Sequence, residues 1–117
     1  MLIVEDEPLI ALDLHDALQE AGATILAATT VNEALELIAY AQICAAIVDV
    51  SLGGDDCSSV CAALAKRSIP FMFYTGYSEA PSLSQWPSAP AVGKPVEGRT
   101  LVDAISHLLP SPIPAGA

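Results

Sequence analysis

Five short apolar runs constrain this chain more than any other feature of its sequence: Leu2-Ile3-Val4, Thr24 to Ala28, Ala45 to Val50, Phe71 to Tyr74 and Ala91-Val92. Runs of this length, bounded by charge, Gly or Pro, read as strands, and the third, being continuously apolar, suits a strand covered on both faces. Helical periodicity fills the gaps. Residues 8–21 set Ile10, Leu14, Ala17, Leu18 and Ala21 on one stripe, and residues 31–41 do the same with Val31, Ala34, Leu35 and Ile38. Thr30 followed by Glu33 reads as a capping box that starts the second helix. Cys57, Val60, Cys61 and Leu64 give a third stripe, and Leu101, Val102, Ile105, Leu108 and Leu109 a last one. Strands alternating with helices at this spacing predict a doubly wound α/β domain, a five-stranded parallel sheet joined by right-handed crossovers.

Proline sets the limits of this pattern. Pro81, Pro87 and Pro90 interrupt any helix longer than about two turns between Tyr74 and Ala91, so a fourth helix there is expected to be short or irregular. The domain is expected over residues 1–109, with residues 110–117 as a Pro-rich tail or linker.

Charge excludes several classes of function. The formal net charge is −10, with only Lys66, Arg67, Lys94 and Arg99 against 14 acids, so a nucleic-acid backbone would be repelled. Hydrophobic residues make up 53% of the chain, yet no run could span a bilayer and no secretory signal is visible. The expectation is a cytoplasmic protein that binds neither nucleic acid nor membrane. Three cysteines, Cys44, Cys57 and Cys61, leave one over in any disulfide scheme, and Cys57 and Cys61 fall on an apolar stripe, which reads as core thiols.

In an open parallel sheet, ligands bind beyond the carboxyl ends of the strands, where strand order reverses. Glu5, Asp6 and Glu7 follow the first run, Asp49 closes the apolar part of the third, Thr75 follows the fourth and Lys94 the fifth. Singly, each has a plain structural reading as a solvated acid, a strand threonine or a surface lysine. Together they place complementary groups at four strand ends. If the strand order is 2-1-3-4-5, the first and third strands are neighbours about 4.8 Å apart, and Asp6 approaches Asp49. Carboxylates crowded in one cleft repel unless a cation joins them, and a few oxygen ligands completed by water suit Mg²⁺. A carboxylate oxygen of Asp49 is then the candidate nucleophile toward phosphorus, with Thr75 as hydroxyl donor and Lys94 as a second positive charge.

The segments Leu2-Ile3-Val4-Glu5-Asp6-Glu7-Pro8, Ile47-Val48-Asp49-Val50, Tyr74-Thr75-Gly76 and Gly93-Lys94-Pro95, in this order, resemble the receiver domains of bacterial two-component systems over nearly the whole chain. The resemblance implies a flavodoxin-like receiver fold and a phosphoacceptor function. Asp49 would take a phosphoryl group from a sensor histidine kinase or a histidine phosphotransfer protein. It implies Glu5 and Asp6 as the acidic pair, with Asp6 the direct metal ligand, and the backbone carbonyl of Ser51 beside Asp49 as a further ligand. Thr75 would move toward the phosphoryl group, Lys94 would pair with it, and the Lys94-Pro95 peptide would be often cis. Such a domain is not an enzyme beyond catalysing its own phosphorylation and dephosphorylation, and a homodimer stays open.

The chain departs from the family at Ala91, three positions before Lys94, where an aromatic switch residue is usual. Phe73-Tyr74-Thr75-Gly76-Tyr77 instead is similar to a Phe-X-Thr-Gly receiver subgroup common in alphaproteobacteria. Tyr77 is then expected to report a reordering of residues 76–91. A flavodoxin-like electron carrier would need a Ser/Thr/Gly-rich phosphate loop where Glu5-Asp6-Glu7 stands, and an aspartyl-phosphate phosphatase would want an acid where Ser51 stands. The alternative kept open is a receiver-like interaction module that works without phosphorylation. On the first helix, Leu12 is expected to face away from the core with Leu9 near the boundary, a surface on which family members dock their phosphodonor.

Overall fold

Alternating side chains on a strand point to opposite faces, so a short apolar strand in the middle of a sheet must be covered twice. A computed structural model of the chain describes residues 1–49, 51–52, 55–75, 86, 89–93 and 102–106. The strands are β1 (Leu2–Val4), β2 (Leu26–Ala28), β3 (Ala46–Val48), β4 (Ser51–Leu52), β5 (Asp55–Asp56), β6 (Phe71–Thr75) and β7 (Ala91–Gly93). The helices are α1 (Pro8–Glu20), α2 (Val31–Tyr40) and α3 (Ser58–Lys66), and residues 102–106 are also helical. Five strands form one sheet in the order β2-β1-β3-β6-β7, all parallel, which is the expected 2-1-3-4-5 arrangement.

Each face of the sheet has its own core. Leu2, Val4, Ala46, Val48, Phe71 and Phe73 pack with Ala34 and Ile38 of α2 and with Val60, Cys61 and Leu64 of α3. Ile3, Ile47, Met72 and Tyr74 pack on the other side with Leu14 and Leu18 of α1 and with Ile105. The expected stripes are therefore the buried ones. Leu101, Leu108 and Leu109 of the last stripe lie outside the described residues, as do most of the proline-broken segment, the Lys94-Pro95 peptide and the expected tail.

Several boundaries are tighter than the sequence pattern. β2 begins at Leu26, not Thr24, with Leu26 in register with Leu2, although the Met1 amine still donates to the Thr24 carbonyl at 3.0 Å. Cys57 caps α3 from outside, with non-helical backbone. The hairpin of β4 and β5, pairing Ser51 with Asp56 and Leu52 with Asp55, was not expected. A Gly-Gly pair between two short runs is a sequence signal for such a hairpin, and Gly53-Gly54 stands between Leu52 and Asp55 in the sequence.

Local chemistry explains the helix ends. α1 stops where Gly22 takes φ 99°, and the N–H groups of Gly22 and Ala23 donate to the carbonyls of Gln19 (3.0 Å) and Leu18 (3.1 Å), a pattern that satisfies the last carbonyls. α2 starts as expected, with the Glu33 N–H donating to the Thr30 hydroxyl at 3.1 Å. The Glu33 carboxylate reaches back to Thr29, accepting from its hydroxyl at 2.6 Å and its N–H at 3.3 Å. These Thr29 hydrogen bonds hold the Glu33 carboxyl below its ordinary value. A lowered carboxyl supports the fold above the ordinary glutamate range, and this support is lost as pH falls through the lowered value. Thr30→Ala removes the cap and is expected to lower stability by about 1 kcal/mol, read from the urea midpoint at an unchanged denaturant slope.

Candidate functional site

The carboxyl ends of β1 and β3 lie level, because Val4 is in register with Val48 on one side and Ala28 on the other. The ladder continues one residue past the strands: the Asp49 N–H donates to the Val4 carbonyl at 3.0 Å, and the Glu5 N–H to the Ala28 carbonyl at 3.0 Å. These bonds fix the backbone of Asp49 beside that of Glu5. This is the point where the chain leaves β1 for β2 on one flank while β3 lies on the other, the reversal at which such sheets open a crevice.

Three acids meet there. One carboxylate oxygen from each of Glu5, Asp6 and Asp49 lies within 4.8 Å of the others. Glu5 is 1% exposed and Asp49 5% exposed, the two buried charged residues among those described, while Asp6 is half-buried. The Glu7 N–H donates to a Glu5 oxygen at 3.1 Å, which ties the loop after β1 to the buried acid. Burying carboxylates together is costly unless a positive group joins them.

The donor set fits a small hard cation. All three side chains offer oxygen, and opposite ligands on an octahedral Mg²⁺ stand about 4.2 Å apart, close to the spread of this cluster. Glu5 and Asp49 form the floor, and the more exposed Asp6 stands at the mouth. The expected approach of Asp6 to Asp49 is thus present in the structure.

The remaining expected residues are placed less fully. Thr75 closes β6 and is in register with Gly93 of β7, next in sequence to Lys94. Ser51 opens β4, two residues after Asp49. Lys94 and Tyr77 lie outside the described residues. Ala91 is exposed on β7. The sequence reading passed over Trp86, which stacks edge-on against Phe71 with ring centroids 5.6 Å apart and joins the core on the α3 side. As the single tryptophan it carries the largest apolar side chain of the sequence, but nothing local tells which residue covers it.

On α1, Leu9 is 76% and Leu12 55% exposed. Leu9 is thus well out in solvent rather than at the boundary, the helix meeting the core through Ile10, Leu14 and Leu18. No described helix is long and apolar enough to cross a membrane.

Comparison with known proteins gives one consistent result. The sequence pattern of the response regulator receiver domain matches residues 1–106. Among solved structures, SdrG from Sphingomonas melonis Fr1 is 41% identical, with a TM-score of 0.80 over 92% of this chain and 92% of that one. The BeF3-activated conformation of SdrG from Pseudomonas melonis Fr1 is 42% identical, with a TM-score of 0.77 over 92% of this chain and 93% of that one. The response regulator TrrA from Thermotoga maritima, in complex with Mg²⁺-BeF, is 30% identical, with a TM-score of 0.81 over 92% of this chain and 96% of that one. No curated protein matches.

Proposed function

This chain belongs to the response regulator receiver domain family, and from that premise we propose that Asp49 is its phosphoryl acceptor and that Glu5, Asp6, Asp49 and the Ser51 carbonyl hold Mg²⁺. The observation that carries the reading is the meeting of Glu5, Asp6 and Asp49 at the carboxyl ends of β1 and β3.

In this reading a carboxylate oxygen of Asp49 attacks the phosphorus of a phosphohistidine, the histidine N–P bond breaks, and an aspartyl phosphate forms. The bound cation supplies charge neutralisation for an anionic donor entering an acidic cleft. Glu5 and Asp6 hold that charge in place. Thr75, at the end of β6, donates its hydroxyl to the phosphoryl oxygens, and Lys94, the residue after Gly93, pairs with them. The chain does no chemistry on other substrates. The direct test is intact-mass spectrometry after acetyl phosphate and Mg²⁺, expecting one labile phosphoryl adduct at Asp49 that hydroxylamine removes; a protein that never takes it up is instead the phosphorylation-independent module. The buried acids speak against that second reading, since an interaction surface has no use for carboxylates hidden from its partner.

The donor is a cytoplasmic histidine kinase domain or histidine phosphotransfer protein, docking on α1 beside the cleft. Leu9 and Leu12 are the exposed large apolar side chains of that helix. Leu12→Ala is expected to slow transfer from the protein donor about tenfold, the loss of roughly 1.4 kcal/mol of apolar contact, and to leave labelling by acetyl phosphate unchanged. Equal slowing with both donors would mean damage to the fold and not to docking.

A further inference from the structure

Two nucleophilic side chains in the core take no part in the site above. Cys57 and Cys61 are both 0% exposed, and the Cys61 thiol is 3.8 Å from the Cys57 sulfur. The Cys61 N–H donates to the Cys57 carbonyl at 2.9 Å, so the two residues bracket the first turn of α3. Cys57 has φ −91° and ψ 10°, outside the helix proper.

We propose that Cys57 and Cys61 form a redox-active dithiol that closes to a disulfide with hydrogen peroxide as oxidant. Residues four apart at helical pitch have Cα atoms about 6.2 Å apart, inside the roughly 4.4–6.8 Å range that disulfides span. The sulfurs must close from 3.8 Å to about 2.05 Å, and Cys57, as the capping residue, can turn without breaking the helix behind it.

The surroundings select this chemistry over others. The pair is packed among Val60, Leu64, Phe71 and Phe73, where a thiophilic cation would bring charge into an apolar core, whereas a disulfide is uncharged. Helix ends open more readily than helix middles, so the start of α3 is where a molecule little larger than water reaches a buried thiol. Cys57 stands at that end, so it meets water and peroxide first and is the attacking sulfur, its thiolate forming once the turn has opened. Its thiolate attacks one peroxide oxygen, the O–O bond breaks, and a sulfenic acid and water result. The Cys61 sulfur then attacks the Cys57 sulfur and expels a second water, so two hydrogens leave the protein and two electrons pass to the peroxide.

The reaction makes no use of Asp49 and is tested apart from it. Cys44 is exposed and would confuse the count, so the test uses Cys44→Ser, fully reduced and folded, treated with hydrogen peroxide in native buffer. The expected result is a mass lower by two hydrogens, a peptide linking Cys57 to Cys61, no thiol left for N-ethylmaleimide after denaturation, and full reversal by dithiothreitol. Asp49→Asn in the same background should oxidise equally. Adding Cys61→Ser should abolish the two-hydrogen loss. Thiols that stay alkylatable, separate oxygen adducts on either cysteine without a link, or a link that forms only in urea would each overturn the proposal.

Discussion

Asp49→Asn is expected to abolish phosphoryl labelling from acetyl phosphate, with no adduct at any other residue under conditions that label the native protein fully. The substitution keeps the shape of a side chain that is 5% exposed and whose backbone N–H is fixed to the Val4 carbonyl. It removes the anionic oxygen, and an amide oxygen is not a nucleophile toward phosphorus at neutral pH. The loss should not come from unfolding. Taking one charge out of a cluster that spans 4.8 Å relieves repulsion, so the variant should unfold at the same or a higher urea concentration than the native protein without Mg²⁺. Undiminished labelling of Asp49→Asn would place the acceptor elsewhere.

The second large effect is on the cation. Asp6→Asn should weaken Mg²⁺ binding at least tenfold, since losing a group that merely orients a ligand typically costs about 10–100-fold and Asp6 is assigned to direct contact. Glu36→Gln serves as the control, because it removes the same charge from the exposed face of α2, away from the cleft. If net charge alone drew the ion, the two variants would weaken binding alike, and equal affinities by titration calorimetry would remove Asp6 from the site. The difference should persist at high salt, where the long-range attraction of a −10 chain is screened but contact with the ion is not.

Much of the fold was legible in the sequence because two patterns carry it. The short continuous apolar runs marked β1, β3 and β6, and the 3.6-residue stripes marked the buried faces of α1, α2 and α3, Leu14 with Leu18, Ala34 with Ile38, and Val60 with Cys61 and Leu64. Hydrophobic burial is local in sequence in this sense: a stripe buries whatever partner it meets. Asp49 was legible for the same reason, as the charge that ends a continuous apolar run. Strand bounds were not, since the register with β1, and not the extent of the apolar run, sets β2 at Leu26–Ala28.

What only the tertiary structure decided is proximity. Glu5 and Asp49 are 44 positions apart in the chain, and nothing local makes one carboxylate the neighbour of another. The parallel register of Val4 with Val48, extended by the Asp49 N–H to the Val4 carbonyl, brings them within 4.8 Å and buries both. The same holds for Trp86 against Phe71 and for the short hairpin after Asp49. Residue type and spacing specify which groups are available and on which element each sits. The sheet's long-range hydrogen bonds, which close only when distant segments pair, specify which of them share a cleft and which are shut away from water.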